Sequence, residues 1–411
     1  MTSYYQDTVN SGYAWLGWVP RHWDISPLGQ HFIERSETVS DKDFAPLSVT
    51  KDGVVPQLDN VAKTSNNDGR KLVRAGDFVI NSRSDRKGSS GVSSRDGSVS
   101  VVYSVLEPRP TLYGRFAHHL LRSPAFQEEY YRWGSGIVAD LWSTRYSAMK
   151  RILLAIPPLG EQREIAHYLD SEIAQIDTLI AEQQRLIEML RERRQAMIDH
   201  VFTRCSEDRV PLRRFISFLT SGSRGWGGYY ADFGDVFVRI GNLSRGSLFL
   251  GGEVQRVNLP PVIHEGQRTK LQVDDLLFSI TAYIGSVAVV DQEWADSYVS
   301  QHVALCRIDT SVLDPKFTGY FMLATEGRGQ LSEGAIGGTK VQLALDDIRA
   351  LRVPVPTLEE QRQIVDYLDR ETSRIDMLIA ESERLIELSQ ERRSALITAA
   401  VTGQIDVRQE A

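Results

Sequence analysis

PPLGEQREIAHYLDSEIAQIDTLIAEQQRLIEMLRERRQAMIDHVFT occupies residues 157–203, and PTLEEQRQIVDYLDRETSRIDMLIAESERLIELSQERRSALITAAVT occupies residues 356–402. At an offset of 199 the two stretches agree at 26 of 47 positions. Chance does not supply such agreement, so the chain is one plan used twice. Both stretches read as long helices. Glu, Arg, Gln, Ile, Leu and Ala dominate, and neither stretch has Pro or Gly after its first few residues. The opening Pro-x-Leu-x-Glu-Gln puts proline before the helix and an acid in its first turn, and Gly403 follows the second copy as a C-terminal cap.

The apolar spacing alternates four and three. In the first copy the seam runs through Leu169, Ile173, Ile176, Ile180, Gln183, Ile187, Leu190, Arg194, Met197 and Val201. In the second it runs through Leu368, Thr372, Ile375, Ile379, Ser382, Ile386, Ser389, Arg393, Leu396 and Ala400. This is a heptad seam, interrupted by polar residues at matching places. A helix of about 40 residues spans roughly 60 Å and cannot bury such a stripe alone. The other copy is the obvious partner. A compact domain between the copies has its ends close together, so the second helix must return antiparallel to the first. The alternatives are that each helix caps its own domain or pairs with another chain.

The same offset persists upstream. Ser135-Gly-Ile meets Gly334-Ala-Ile, and Trp142, Tyr146, Met149 and Ile152 meet Val341, Leu345, Ile348 and Leu351, spaced as a short amphipathic helix. Arg74-Ala-Gly-Asp-Phe-Val-Ile resembles Gln272-Val-Asp-Asp-Leu-Leu-Phe, each a turn leading into a strand. Further strands are expected over 99–105, 236–240, 286–290 and 303–308. The expected fold is therefore α+β. Two similar mixed α/β domains, 1–155 and 206–353, are joined by helical regions 156–205 and 354–411, with pseudo-two-fold symmetry. The helices have stayed alike while the loops have diverged, which suits a target made of two different halves.

The composition is globular, with 42% hydrophobic and 25% charged residues. No apolar run reaches the length of a membrane span, and the first 20 residues lack the pattern of a secretory leader. The two cysteines, Cys205 and Cys306, form no CxxC pattern, and a reduced, cytoplasmic setting is expected. The net charge of -7 argues against attraction of nucleic acid to the whole surface, yet 63–95 holds eight basic residues against three acids.

Catalytic signatures are missing. Leu259-Pro-Pro-Val and Ile156-Pro-Pro-Leu lack the polar lead and the aromatic of an amino-methyltransferase motif. Gly337-Gly-Thr-Lys340 has the wrong order for a phosphate-binding P-loop, and no GxSxG elbow occurs. His118-His119 and His302 have no spaced metal-ligand partners, and Asp274-Asp275 falls at a turn before a strand, so no metal is expected.

The paired Pro-x-Leu-x-Glu-Gln…Ile-x-x-Tyr-Leu-Asp…Glu-Arg-Arg helices resemble the two conserved regions of type I restriction–modification specificity (S) subunits. The ending Ala399-Ala-Val-Thr-Gly-Gln-Ile-Asp-Val is similar to that family's. So is the opening Ser11-Gly-Tyr-Ala-Trp-Leu-Gly-Trp-Val-Pro-Arg-His-Trp, although Trp18 stands where the family often carries an acid. The resemblance implies a non-catalytic subunit with two target-recognition domains, one per half-site, held apart by an antiparallel coiled coil. It also implies double-stranded DNA and two methyltransferase (M) subunits as partners, with or without restriction (R) subunits. S-adenosylmethionine, ATP and Mg would then lie on those partners and none in this chain.

Each domain would read base edges in the major groove. Lys63, Arg70, Lys71, Arg83, Arg86 and Lys87 are the expected DNA-contacting residues of the first half. Arg224, Trp226, Arg239, Asn242, Arg245 and Lys340 are those of the second. Two rival readings are a coiled-coil scaffold joining two protein-binding domains and a self-sufficient DNA-modifying enzyme. The missing motifs count against the second.

Overall fold

The computed structural model describes residues 4–51, 53–57, 69–83, 88–136, 142–205, 208–260, 265–334 and 342–409. They form two compact units, one of Met1–Gln183 with Arg384–Ala411 and one of Gln184–Glu383.

The repeated stretches are single helices, Leu159–Thr203 and Leu358–Val401. Within unit 1 the early part of the first helix packs on the late part of the second. Ile165, Ala166 and Leu169 share a core with Ile397, Ala400 and Val401. Within unit 2 the roles exchange, and Ile198 and Phe202 share a core with Val365 and Leu368. The helices are therefore antiparallel, as the compact domain between the two copies requires. Every seam position is buried or half-buried, including the polar Thr372, Ser382 and Ser389. Burying each Ile or Leu contributes about 1.5–3 kcal/mol, which no isolated helix could recover.

The Glu-Gln of the opening motif ties each helix to its own unit. Gln162 Oε1 accepts from Tyr113 N at 2.7 Å, and its Nε2 donates to Thr111 O at 3.0 Å and Pro157 O at 2.9 Å. Gln361 repeats all three bonds, with Asp314 N at 2.7 Å, Val312 O at 3.0 Å and Pro356 O at 2.8 Å. The preceding glutamates do different work. Glu161 is buried and accepts from Tyr5 Oη at 2.5 Å and Trp23 Nε1 at 3.0 Å, with His22 Nε2 at 2.8 Å. Glu360 instead forms a capping box with Thr357. At the far end Gly403 adopts φ +72°, and a Cβ there would lie 2.2 Å from Pro20. Only glycine satisfies both the turn and the contact.

The same sheet recurs in each unit. In unit 1 the antiparallel order is Ser90–Val92, Phe78–Asn81, Tyr103–Pro108 and Phe32–Glu34. In unit 2 it is Val287–Val289, Leu276–Ser279, Val303–Ile308 and Ile216–Ser221. The turn before the central strand is also shared. Asp77 accepts from Arg74 N at 2.8 Å and Asp275 from Gln272 N at 2.7 Å, while Gly76 and Asp274 both take positive φ. Both carboxylates are buried and bonded to an arginine, but Arg35 and Arg307 reach them from different strands. Burial holds the Asp275 carboxyl above its ordinary range in spite of Arg307.

Beyond this frame the units differ. Unit 1 adds a three-stranded sheet of Gly97–Val99, Arg70–Val73 and Thr38–Val39, whereas unit 2 adds a four-stranded one that includes a parallel pair, Asp235–Val238 with Tyr298–Val299. The single strand expected over 99–105 is divided. Tyr103 N bonds back to Ser100 O, and Val101 at the turn is 63% exposed. The short amphipathic helices appear as Tyr146–Met149 and Leu345–Ala350, and Val341 lies outside the described residues.

Candidate nucleic-acid interface

In both units the chain leaves the central strand and enters a loop at the same structural position. Ser82 N donates to Val102 O at 3.2 Å and Ile280 N to His302 O at 3.1 Å. Thr144 N then closes on Ser82 O, and Leu343 N on Ile280 O, both at 2.9 Å. These bonds clamp the base of each loop to the neighbouring strand. What projects beyond the clamp is different.

In unit 1 the clamp borders a concave surface of about 580 Å³. Lys71, Arg83 and Arg145 line it with Tyr103, Tyr146 and a group of serines. Arg83 and Arg145 are exposed. The Arg83 backbone is held by Asn81 Oδ1 at 2.9 Å, which leaves its guanidinium to project. Lys71 lies 3.3 Å from Glu34. Cations and hydroxyls on one concave surface suit both phosphate positioning and base-edge hydrogen bonding.

In unit 2 the projecting loop is aromatic. Tyr283 adopts φ +59°, a strained backbone for a bulky residue, and is 56% exposed. Arg245 lies over its ring at 5.3 Å. Beside it, Thr281 Oγ1 is 3.2 Å from His302 Nδ1, and Gln301 Nε2 is 3.0 Å from His302 Nε2. Arg224 is exposed and follows Ser223, whose backbone bonds to Val299 O and Gln301 N.

The structure thus keeps Lys71, Arg83, Arg224 and Arg245 on accessible or half-buried surface, with Arg239 half-buried. It moves three expected readers into the frame. Arg70 is 7% exposed, and its guanidinium donates to Ser98 Oγ at 2.8 Å and Ser98 O at 3.0 Å. Trp226 is 4% exposed, stacked on Phe237 at 5.5 Å and edge-on to Tyr298. Asn242 is buried, and its amide holds Gly251 O, Glu253 O and Arg239 N. Charge and polarity alone could not separate these from surface residues. Lys63, Arg86, Lys87 and Lys340 lie outside the described residues. Sequence reasoning missed Tyr103, Arg145, Thr281 and Tyr283. The repeat could have found the last two, because they follow the aligned central strands. Among the described residues no three His, Cys, Asp or Glu cluster as metal ligands, and no helix is long and apolar enough to cross a membrane.

Residues 254–388 match the family model described as the type I restriction modification DNA specificity domain. The type I restriction enzyme EcoBI specificity subunit of Escherichia coli is 22% identical over 280 residues, covering 62% of this chain and 58% of that protein. The type I restriction enzyme MjaVIII specificity subunit of Methanocaldococcus jannaschii is 21% identical over 285 residues, covering 63% of each. Each match thus spans less than two thirds of the relative's length. In fold, the chain is similar to one from a structure of type I R-M complex assembly and conformational transition. That likeness has a TM-score of 0.68 at 17% identity and covers 93% of this chain and 98% of that one. It is also similar to the HsdS subunit from Thermoanaerobacter tengcongensis, with a TM-score of 0.53 at 18% identity, covering 94% and 98%. The duplicated helices, the repeated sheet, the matched domain and these relatives agree: residues 254–388 carry a type I restriction modification DNA specificity domain, and the chain is similar to type I restriction enzyme specificity subunits.

Proposed function

We propose that this chain reads a bipartite, asymmetric DNA target, one half-site per unit, as a non-catalytic subunit of an adenine-N6 methyltransferase complex. The observation that carries the reading is the clamp described above: identical backbone bonds present unlike loops, Arg83 in one unit and Thr281 with Tyr283 in the other. Equal frames with unequal loops discriminate two different sequences, whereas a scaffold for one partner gains nothing from the difference. The paired long helices act as the ruler for the gap between half-sites. Two readers on one face of B-DNA are separated by about 34–36 Å or a multiple of it. Two methyltransferase subunits dock on the outward faces of those helices, where Arg191, Glu192 and Arg392 are exposed. They supply S-adenosylmethionine chemistry, and restriction subunits, where present, supply ATP-dependent cleavage.

Selection from a random duplex pool by the chain with its methyltransferase partner tests this. The expected product is two short motifs at one fixed spacing, bound with strong salt dependence. A single contiguous motif, or no DNA affinity at low salt, contradicts it.

A further inference from the structure

In unit 2 a loop crosses the helix Pro315–Leu323 at Gly319, where a Cβ would lie 2.9 Å from Leu248 of that loop. The loop offers its carbonyls to arginines. Gly246 O accepts from Arg194 Nη1 at 2.8 Å, and Arg245 O accepts from Arg328 Nη2 at 2.5 Å. Unit 1 has the matching helix, Gly114–Arg122. The alignment is set by equivalent bonds: Arg115 and His119 hold Asp170 as Lys316 and Tyr320 hold Asp369. His118 then stands where unit 2 has Gly319, and Gln127 stands where it has Arg328. Arg393 takes the place of Arg194.

In unit 1 it is the turn at Lys51 that reaches this helix, and its carbonyl accepts from Arg122. A cavity of about 750 Å³ opens beside it. Its walls include Lys51, Arg115, Arg122 and Arg393, with His118, and one carboxylate, Asp170. Asp170 is already engaged by Arg115 and His119. Arg393 also faces Asp177, so four cations meet two carboxylates, an excess that stands out in a chain of net charge -7. Burial, then the neighbouring Arg122, pushes His118 down to about 3, so its ring is neutral beside these cations. Arg122 also donates to His118 Nε2 and to the Lys51 carbonyl, which fixes its guanidinium in the wall.

We propose that this cavity of unit 1 binds a phosphate group, beside Arg393, whose counterpart Arg194 is held by a carbonyl of unit 2's own loop. Three guanidinium groups and an ammonium match a multiply charged oxyanion, whose several oxygens can be shared among forked donors. The volume lies in the range of small-ligand sites. The phosphate comes from a free nucleotide or from a DNA backbone, and the chemistry of recognition is the same.

Calorimetry on the intact chain with pyrophosphate and with ATP, beside duplex-DNA titrations at several salt concentrations, tests the proposal. The variants are Arg122→Gln and the single exposed change Lys51→Gln, each checked for fold by its melting transition. A free-nucleotide site gives saturable pyrophosphate and ATP binding, weakened about tenfold in Arg122→Gln, with an unchanged DNA salt slope. A backbone site lowers the salt slope by about 0.9 for each lost contact, and pyrophosphate competes with DNA. The proposal is overturned if wild type binds neither pyrophosphate nor ATP and both variants keep the wild-type salt slope. Complete absence of DNA binding would overturn the proposed function yet leave the pyrophosphate measurement to decide this site.

Discussion

Arg393 of the second long helix lies 3.1 Å from Asp177 of the first, within unit 1. Their repeat equivalents, Arg194 and Asp376, form the same pair within unit 2. One Arg–Asp contact has thus been used twice, joining a seam arginine to an aspartate at the seam's edge in each half of the coil.

The two pairs differ in solvent exposure, and their energetics should differ accordingly. The side chains of Arg393 and Asp177 are 39% and 53% exposed, against 13% and 38% for Arg194 and Asp376. Asp376→Asn removes the charge facing the more buried guanidinium and should cost about 1–3 kcal/mol. Asp177→Asn should cost under about 1 kcal/mol, as solvated pairs do. Denaturant unfolding of the two variants provides the comparison, and equal losses would contradict the burial argument.

Glu161 and Glu360 occupy the same repeat position but not the same environment. Glu161→Ala strips two buried partners, Tyr5 and Trp23, and the exposed His22 of their acceptor and should destabilise unit 1 by about 2–4 kcal/mol. Glu360→Ala loses half of an exposed capping box and should cost about 0.5–1 kcal/mol. Thermal melts read the difference, and hydrogen exchange should place the Glu161 effect in residues 5–23.

Burial also lowers His119, with Asp170 opposing the shift, while His118 is pushed down to about 3. Arg115, Arg122, Lys51 and Arg393 surround them, and Asp170 is the facing acid. As pH falls below about 6.5 the unfolded chain takes up protons that the folded histidines refuse. Stability should therefore decline from pH 7 to pH 5, above the range in which carboxylates titrate. Urea midpoints at the two pH values should show a smaller decline in His118→Asn; an unchanged decline would remove His118 from the account.

Lengthening the coil tests the ruler. A heptad added to each long helix at matched places, within 182–193 and its equivalent, keeps the seam in register and lengthens the pair by about 10 Å. The preferred gap should change or modification should cease. An unchanged gap in sites mapped from treated DNA would contradict the ruler.

The long helices and their pairing were legible because a heptad seam is a one-dimensional pattern, and every seam residue from Leu169 to Ala400 is covered; the antiparallel direction followed from the compact domain between them. The turn role of Asp275 was legible through its match with Asp77. The reader residues were less so. Arg70, Trp226 and Asn242 have the chemistry of contact residues, and only the three-dimensional fold shows that Ser98, Phe237 and Gly251 occupy them. Tyr283 escaped notice because nothing in its neighbours announces a positive φ or an arginine arriving from residue 245.

The most direct test maps methylated adenines across the genome of cells that carry this chain with its methyltransferase partner. Wild type is compared with Arg83→Ala and with Tyr283→Ala. The account predicts a split motif in wild type, relaxed in one half by the first change and in the other half by the second, with the gap constant. A contiguous motif, or both variants altering the same half, would contradict it.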